Sequence, residues 1–568
     1  MEVRGAHYDD EKLGSAMPDA TVTKTHSING IQIDLGSEHQ LERGLKSRHI
    51  QFLALGGAIG TGLFVGSGAI LSTVGPAPLF MAYISMMFVV WVVMNDLAEM
   101  ATYLPLRGIS IPYYVGRFLD PSLAFADGWN YWYAYSILIA AETTAGAIVI
   151  DYWKNPVPTA VWITIILIVL LFLNIVAVKW FGEAEFYFAS IKLLAIFGLI
   201  ILGIVLFFGG GPNHDRLGFR YWKDQDGYSA FAEYVVPGAT GRFLAFWHAL
   251  AAAGFAFITS PELIALAAGE TISPRRNIPK AARRYVWRLA LFYGFGSLVI
   301  GIIVPRNNDR LLNGGSDASA SPFVIGIQNA GIHGLNHVIN ACILTSAWSA
   351  GNAFLYSGSR VLYSMSVNGQ APKFFSKTTK YGVPWAAVLC TWLIGCLAYL
   401  NVSNTGAKVF GWFSNISTIS GFIAWIVALA TYIRFRKAMI SNNMLHILPY
   451  RTPLQPYATW TVLILLIILT LTNGFQVFFP SKWNVSDFLA AYITLPIFLV
   501  LFLGHKIWST LQRVKSGQKV SFGAALQFAI PIAEIDVLTG KQEMDELEAL
   551  DEPRVPRNLL EKIWFWLA

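Results

Sequence analysis

The sequence is poor in charge, in cysteine and in the motifs of enzymes. Of its 568 residues, 13% are Asp, Glu, Lys or Arg, whereas a soluble domain has roughly 25%. Its three cysteines, Cys342, Cys390 and Cys396, all lie in apolar segments, which excludes a disulfide framework and a cysteine-based metal site. It contains no glycine-rich phosphate loop, metal-ligand cluster or nucleophile triad. We therefore expect neither an enzyme nor a bound metal or cofactor.

Long apolar runs are what the sequence has instead. Hydrophobic residues make up 55% of the chain, and the mean hydropathy is +0.51. A membrane-spanning helix needs about 20 consecutive apolar residues, and such runs recur along the whole chain. We predict an all-α membrane protein with twelve transmembrane helices, surrounded by the lipid bilayer. The predicted spans are residues 50–74, 77–104, 124–150, 158–178, 184–208, 242–268, 281–304, 332–366, 383–400, 406–434, 456–479 and 484–511.

The basic residues cluster in alternate connections between these spans. The densest block runs from Arg275 to Arg284, and smaller groups lie near Arg107, Lys373 and Arg434. Under the positive-inside rule such connections face the cytoplasm, so both termini are predicted to be cytoplasmic. The net charge of +7 is then explained by topology, and it does not indicate a nucleic acid partner.

The two ends of the chain differ from the twelve-helix domain, which we place at residues 45–512. Residues 1–44 are polar with little periodicity, and we predict a disordered cytoplasmic tail. Residues 513–568 form a second cytoplasmic tail, in which apolar residues punctuate an acidic stretch from Glu534 to Glu552. That spacing predicts a short amphipathic helix. The tails are where trafficking or ubiquitination machinery would bind.

The first predicted span holds six glycines within the 15 residues from Ala54 to Gly68. A membrane helix so rich in glycine is expected to break. The break would expose unpaired N–H groups at bilayer depth, and these favour a small anion such as a carboxylate, as does the positive end of the helix dipole. The first span therefore predicts a transporter for a small solute that carries a carboxylate.

The sixth predicted span holds a second break, in the string Gly254-Phe-Ala-Phe-Ile-Thr-Ser-Pro-Glu262. Pro261 has no N–H and its ring clashes with the preceding turn, so the helix must kink or open there. Spans one and six begin two sets of five helices, and matched interruptions of this kind indicate an inverted repeat with its site at mid-membrane. The alternative is that the glycines serve close helix packing and the proline an ordinary kink.

Several groups of residues, spread over nearly the whole chain, resemble the motifs of one family. They are Leu45-Lys-Ser-Arg-His-Ile-Gln51 followed by Gly-Ala-Ile-Gly-Thr-Gly, Lys179-Trp-Phe-Gly-Glu-Ala-Glu185, Ala268-Gly-Glu-Thr-Ile-Ser-Pro-Arg-Arg-Asn-Ile-Pro-Lys280, Gly358-Ser-Arg-Val-Leu362 and Gly504-His-Lys-Ile-Trp508. They are similar to those of fungal, yeast-type amino acid permeases of the amino acid–polyamine–organocation superfamily. The segment from Phe208 to Trp222 most resembles the proline-permease branch. The resemblance implies a LeuT-type 5+5 inverted repeat plus two extra helices, a plasma-membrane location and proton coupling.

The two broken helices form the candidate substrate site. Backbone N–H groups of the first break are predicted to bind the substrate carboxylate, and carbonyls of the second to receive its amino group. An aromatic side chain, Phe255 or Phe257, is predicted to close over the solute; they face different sides, so only one can be the lid. Compared with the family's string, this one is a residue longer before Glu262 and lacks a glycine. The predicted substrate-binding residues are Ile59, Gly60, Thr61, Gly62, Glu142, Phe255, Phe257, Ile258, Thr259 and Ser260.

Three ionisable residues within the spans are candidates for proton coupling. A charge at bilayer depth costs on the order of 3 kcal/mol or more, so each needs a reason. Glu142 either binds the solute and carries the proton or is a hydrogen-bonded structural carboxyl. Lys192 either bridges the first and eighth helices in place of a cation, as the resemblance implies, or snorkels to the interface. Glu262 either carries protons or caps the opened turn.

The two breaks and the resemblance together imply a secondary active, proton-coupled symporter for proline or a similar small neutral amino acid. Its partners would be the amino acid, the proton and the lipid bilayer. A permease for γ-aminobutyrate or for many amino acids is one alternative. Another is a sensor that binds an amino acid but transports little. A channel is disfavoured because no span has a continuous polar stripe.

Overall fold

The computed structural model describes residues 25–28, 31–34, 60–104, 111–153, 156–176, 178–225, 227–262, 274–311, 321–380, 382–517, 527–549 and 558. Its helices, numbered in chain order, are α1 (Gly62–Val74), α2 (Pro76–Tyr103), α3 (Ile111–Phe118), α4 (Pro121–Asp151), α5 (Thr159–Ile175), α6 (Val178–Phe207), α7 (Gly238–Ala253), α8 (Pro274–Ile303), α9 (Pro322–Asn329), α10 (Leu335–Val367), α11 (Trp385–Val402), α12 (Gly406–Ser441), α13 (Tyr457–Thr472), α14 (Val485–Tyr492), α15 (Thr494–Lys515) and α16 (Lys541–Ala549). Short 3-10 turns lie at Arg220–Trp222, Gly254–Ala256, Lys373–Ser376, Leu445–Ile447, Phe475–Phe478, Pro480–Lys482 and Ile532–Glu534.

The long helices follow the apolar runs of the sequence. Within the described ranges, nine helical segments are long and apolar enough to cross a membrane, and α1, α5 and α13 are shorter apolar helices beside them. Each of these segments overlaps one predicted span. The last predicted span is divided into α14 and α15 around Ile493. Pro496 accounts for the division, because it cannot donate to the Tyr492 carbonyl and its ring crowds that group.

Two short strands lie within the predicted N-terminal tail, and the sequence reading did not include them. Thr25–Ile28 (β1) pairs antiparallel with Ile31–Asp34 (β2), with His26 opposite Ile33. The residues between them are Asn29-Gly30, a pair that favours two-residue hairpin turns. The remainder of residues 1–44 lies outside the described residues.

Helix α1 packs against α9 near its start and against the long connection between α6 and α7 at its end. The ring of Phe323 in α9 lies 6.0 Å from that of Phe64 in an edge-to-face contact. The Ala232 N–H donates to the Val74 carbonyl at the end of α1, at 2.9 Å. Gly75 joins α1 to α2 with a φ of +92°, a left-handed conformation that glycine adopts without strain. The start of α1, at the opposite end, is the part of the helix that faces the candidate site.

The segment 527–549, from the predicted C-terminal tail, packs against the ends of α2 and α3. Ile535 and Val537 are buried in this contact. The Tyr103 hydroxyl, at the end of α2, donates a hydrogen bond to the Val537 carbonyl at 2.8 Å. The predicted amphipathic helix corresponds to α16, at the end of the same segment. This part of the tail is therefore docked on the helical domain.

Arginine side chains hold the docked segment. Arg117 in α3 is only 2% exposed, and it donates to the carbonyls of Asp536 and Thr539 at 2.7 and 2.8 Å. Its guanidinium also lies 3.4 Å from the Asp536 carboxylate. Arg275, at the start of α8, forms an ion pair with Asp545 at 2.7 Å. Two of the positive charges assigned to topology therefore also have specific partners.

Both tail aspartates are more acidic than usual in this arrangement. Partial burial of Asp536 opposes its ionisation, but hydrogen bonds from Thr539 outweigh this effect and lower the pKa of Asp536. Burial likewise opposes ionisation of Asp545, and hydrogen bonds from Lys541 and Arg275 nevertheless lower its pKa. A lowered folded-state pKa stabilises docking above the unfolded pKa, about 3.9 for Asp, and this stabilisation is lost as the pH falls through the lowered values.

Hydrogen–deuterium exchange of the tail amides tests this docking. We expect residues 535–540 to be protected at pH 7 and to lose protection as the pH falls below about 4. Arg117→Gln should raise their exchange at pH 7 by about tenfold or more, because hydrogen bonds to a charged group contribute about 1.5–3 kcal/mol. Arg513→Gln, at an exposed position of α15, is the matched control and should change nothing. Unchanged exchange in Arg117→Gln would contradict the docking.

Candidate functional site

The two predicted breaks meet each other in the fold. The chain bends at Gly60, and α1 opens at Gly62 with a π-helical turn. Helix α7 ends at Ala253, and a single 3-10 turn leads to Thr259, whose φ of +66° is left-handed. Such a φ is strained for a β-branched residue, so the main chain is forced out of helix here. Ile59, also predicted for this site, lies outside the described residues.

Gly62 is the point of contact between the breaks. A Cβ at this position would lie 2.7 Å from the Ala256 Cα, so no larger residue fits without moving one of the two segments. Hydroxyl groups of neighbouring helices donate hydrogen bonds to carbonyl groups at both breaks. The Tyr293 hydroxyl of α8 donates to the Ala256 carbonyl at 3.0 Å, and the Tyr83 hydroxyl of α2 to the Gly62 carbonyl at 3.3 Å. These tyrosines were not among the predicted site residues.

Glu142, from the middle of α4, reaches the start of α1. Its Oε1 atom accepts a hydrogen bond from the Thr61 hydroxyl at 3.0 Å, and the Thr61 backbone also bonds to this carboxyl. A Cβ at Gly60 would lie 3.1 Å from the same oxygen. The other oxygen, Oε2, is buried without a hydrogen-bond partner. A carboxyl group of the protein therefore lies where the sequence predicts a substrate carboxylate.

Lys192 of α6 is buried and interacts with two carboxyl groups. It is 1% exposed and interacts electrostatically with Glu142 and Glu185. Glu185, earlier on α6, accepts a hydrogen bond from the Ser349 hydroxyl of α10 at 2.7 Å. The amino group is thus enclosed by protein, and the Lys192 environment links α6 to α4 and to α10.

The side chains of Phe255 and Phe257 point in different directions, as their spacing predicts. The Phe255 ring packs edge-on against Phe410 of α12, with the ring centres 5.4 Å apart. The Phe257 ring is fully buried between Tyr83 and Tyr293, at 5.6 and 4.4 Å. Phe257 is therefore held between α2 and α8, whereas Phe255 extends from the break towards α12.

The remaining residues of the second break are bonded or packed locally. The Phe257 carbonyl accepts hydrogen bonds from both the N–H and the hydroxyl of Ser260, so this carbonyl already has partners. Ile258 packs against Gly421 of α12, where any side chain would collide with it. Thr259 is buried, and its hydroxyl has no hydrogen-bond partner.

Glu262 is bonded to two neighbouring helices as well as to its own backbone. Its Oε1 atom accepts hydrogen bonds from Trp425 Nε1 of α12 at 2.6 Å and from the Tyr131 hydroxyl of α4 at 3.5 Å. Its Oε2 atom is buried without a partner. The sequence could not reveal Trp425 and Tyr131 as partners, although a polar-tipped aromatic residue within an apolar span is itself a signal that a partner is needed.

Long apolar helices, with the start of α1 and the break after α7 meeting at one buried polar point, are typical of a membrane transporter. Comparison with known proteins makes the class specific, because the amino acid permease family matches residues 49–516. The chain therefore belongs to the amino acid permease family, and it is a multi-pass membrane protein.

The relatives agree with this membership, and a solved structure shares the fold. The chain is 56% identical over 530 residues to the proline-specific permease of Emericella nidulans, covering 93% of each protein. It is 50% identical over 547 residues to the proline-specific permease of Saccharomyces cerevisiae, covering 95% of this chain and 84% of that protein. A manganese transporter of Eremococcus coleocola superposes with a TM-score of 0.53 over 85% of this chain and 99% of that one. At 14% identity, that similarity shows a shared transporter fold alone.

Gly60→Ala tests the contact between α1 and α4. The new Cβ would lie 3.1 Å from Glu142 Oε1, and overpacking of this kind costs about 1–3 kcal/mol. We expect amino acid uptake to fall about tenfold at an unchanged surface level, and Gly60→Val to abolish it. Gly198→Ala on α6, where a Cβ meets nothing within 4 Å, is the control. Normal uptake by well-expressed Gly60→Val would refute the site.

Proposed function

We propose that the protein is a secondary active, proton-coupled symporter that takes up proline or a similarly small neutral amino acid. The observation that carries the proposal is the start of α1, where the hydroxyl and the backbone of Thr61 bond to a buried carboxyl group of the protein. Helix N-termini bind carboxylates. Two relatives that cover most of this chain are named proline-specific permeases, and this supports proline as the substrate.

Glu142 provides the link between the proton and the substrate. Its carboxyl and the carboxylate of an amino acid would use the same donors at Thr61. Two carboxylates cannot share these donors at low dielectric, because like charges disfavour each other's ionised form. A proton on Glu142 removes one negative charge and lets the substrate carboxylate take up the donors. Binding of the amino acid and of the proton is then cooperative.

Phe255 is the proposed lid and Phe257 a packing residue. The Phe257 ring is enclosed by Tyr83 and Tyr293, so it cannot move without opening the contact between α2 and α8. Phe255 contacts Phe410 of α12. This contact joins the second break to α12 through a single side chain, which can rotate. An aromatic ring in this position would exclude water and limit the size of the substrate.

The pair of alanine substitutions at the two phenylalanines separates these roles. Phe255→Ala should raise the KM for proline and admit larger amino acids in a competition panel, because the lid is removed. Phe257→Ala should keep the selectivity and lower the amount of folded protein, since truncating a core phenylalanine costs about 3–5 kcal/mol. If both variants keep wild-type affinity and selectivity, neither residue is a gate.

Lys192 is proposed to act as the internal cation of the fold. Its amino group interacts electrostatically with Glu142 and Glu185, and Glu185 is bonded to Ser349 of α10. The positive charge of Lys192 balances the buried carboxylates in one protonation state of Glu142 and not in the other. Lys192 would therefore respond to the protonation of Glu142.

The wider architecture belongs to the same proposal. The described helices support an arrangement of twelve spans, in which ten form a 5+5 inverted repeat and two are additional. In this arrangement α1 and the segment Gly238–Glu262 hold corresponding positions in the two repeats. The basic connections support cytoplasmic termini, and the family resemblance a plasma-membrane location. The tails are then accessible to trafficking or ubiquitination machinery.

Uptake of labelled proline by permease-deficient cells tests the function. The protein should accumulate proline against its gradient, take up protons with it and lose accumulation when an uncoupler is added. Competition by unlabelled γ-aminobutyrate and other amino acids against labelled proline then ranks the substrates. Binding of proline without uptake would indicate a sensor instead.

Lys192→Ala adds a specific expectation to this assay. Proline binding should survive, because the proposal gives the lysine a role in coupling more than in substrate recognition, whereas proton-driven accumulation should be lost. Accumulation with an unchanged pH dependence would refute the role of Lys192 in coupling.

A further inference from the structure

Asp127, in α4, is a buried carboxyl group that neither the sequence motifs nor the proposed site accounts for. The residue is fully buried, and neither of its carboxylate oxygens has a hydrogen-bond partner. Burying an ionisable group without partners is strongly unfavourable. A side chain that only stabilised the fold would be expected to have donors around it.

Asp120, just before α4, shows what a structural carboxyl looks like in the same part of the protein. It accepts hydrogen bonds from the N–H groups of Ser122 and Leu123 at 2.8 and 3.0 Å, which caps the helix. It also pairs with Lys506 of α15. Asp127 lies two turns further along and has no such contact. The difference points to a role other than capping or ion pairing.

The neighbours of Asp127 include Tyr131 and, through it, Glu262. Tyr131 follows Asp127 by four positions, so the two side chains lie on one face of α4. The Tyr131 hydroxyl contacts Glu262 Oε1 at 3.5 Å, and Asp127 interacts electrostatically with Glu262. Glu262 Oε2 is itself buried and unpartnered. The Tyr131 hydroxyl thus contacts Glu262, and Asp127 lies one turn earlier on the same face of α4.

The other elements packed around this part of α4 contribute little charge. Met365 of α10 lies against Gly128, and the Asn130 amide donates to the Ser420 carbonyl of α12. From α15, His505 stacks on Phe125, nearer the start of α4. In the described part of the chain, no ion pair joins Asp127 to a basic side chain.

We propose that Asp127 accepts the proton that Glu262 gives up, with the Tyr131 hydroxyl as the relay between them. In this step the Tyr131 O–H gives its proton to the Asp127 carboxylate and receives one from the Glu262 carboxyl. Glu262 becomes a carboxylate and Asp127 a carboxylic acid, so proton and charge balance. The inference rests on the proposed proton symport and adds to it a route for the proton.

The position of Asp127 gives the route its direction. It lies six residues from the start of α4, or about 9 Å along the helix. The basic connections assign this end of α4 to the cytoplasm. A proton that reaches Asp127 has therefore left the middle of the membrane and is near the side where a symporter must release it.

Asp127→Asn in proteoliposomes tests the relay, because the amide keeps the shape but cannot take up the proton. Two measurements are compared: exchange of labelled for unlabelled proline at equal pH, and accumulation driven by a pH gradient. Exchange does not require the carrier to lose its proton, so it should stay within about twofold of wild type. Accumulation and proline-dependent proton uptake should fall by about tenfold or more.

Matched variants make each outcome decisive. Asp151→Asn, at the exposed far end of α4, should behave as wild type. Tyr131→Phe removes only the hydroxyl and should reproduce the loss of accumulation, and it carries the test if Asp127→Asn does not fold. Wild-type accumulation in both relay variants, or an equal loss of exchange and accumulation, would overturn the proposal. A wild-type protein that moves proline without protons would instead refute the proposed symport.

Discussion

The candidate site depends on one close approach, between the start of α1 and the turn after α7. A Cβ at Gly62 would lie 2.7 Å from Ala256 Cα, so the contact exists only because position 62 is glycine. Both segments leave regular helix at this point, and the polar groups they release lie together inside the protein. Tyr83 and Tyr293 donate hydrogen bonds to one carbonyl of each segment. Any backbone polar group of the breaks that remains unpaired could bind a small zwitterion.

The buried carboxyl groups around this contact differ in how they are stabilised. Glu142 is bonded to Thr61 and Glu185 to Ser349, and both interact with Lys192, whereas Asp127 has no hydrogen-bond partner. In a low-dielectric interior, a carboxyl group keeps its charge only where donors or a cation compensate it. The unequal compensation means that the groups respond differently to a proton, and this is the property that a proton-coupled transporter needs.

The two breaks could be predicted from the sequence because their causes are local. Clustered glycines and Pro261 act on their own turns, whatever lies nearby. The partners of the site could not be predicted in this way, since Trp425 contacts Glu262 across 163 positions of the chain. The different surroundings of Phe255 and Phe257 also needed the structure, because their aromatic partners lie on α12, α2 and α8, far away in the sequence.

The partners of the basic residues at the helix ends could not be predicted from the sequence either. A positive-inside argument treats every basic residue as an equal charge, yet Arg117 is buried and bonded to two carbonyls of the tail. Arg275 is paired with Asp545, so one tail segment joins the ends of α3 and α8. Its contact with Tyr103 adds the end of α2. Any movement of these helix ends relative to one another must therefore carry the segment along or break its hydrogen bonds.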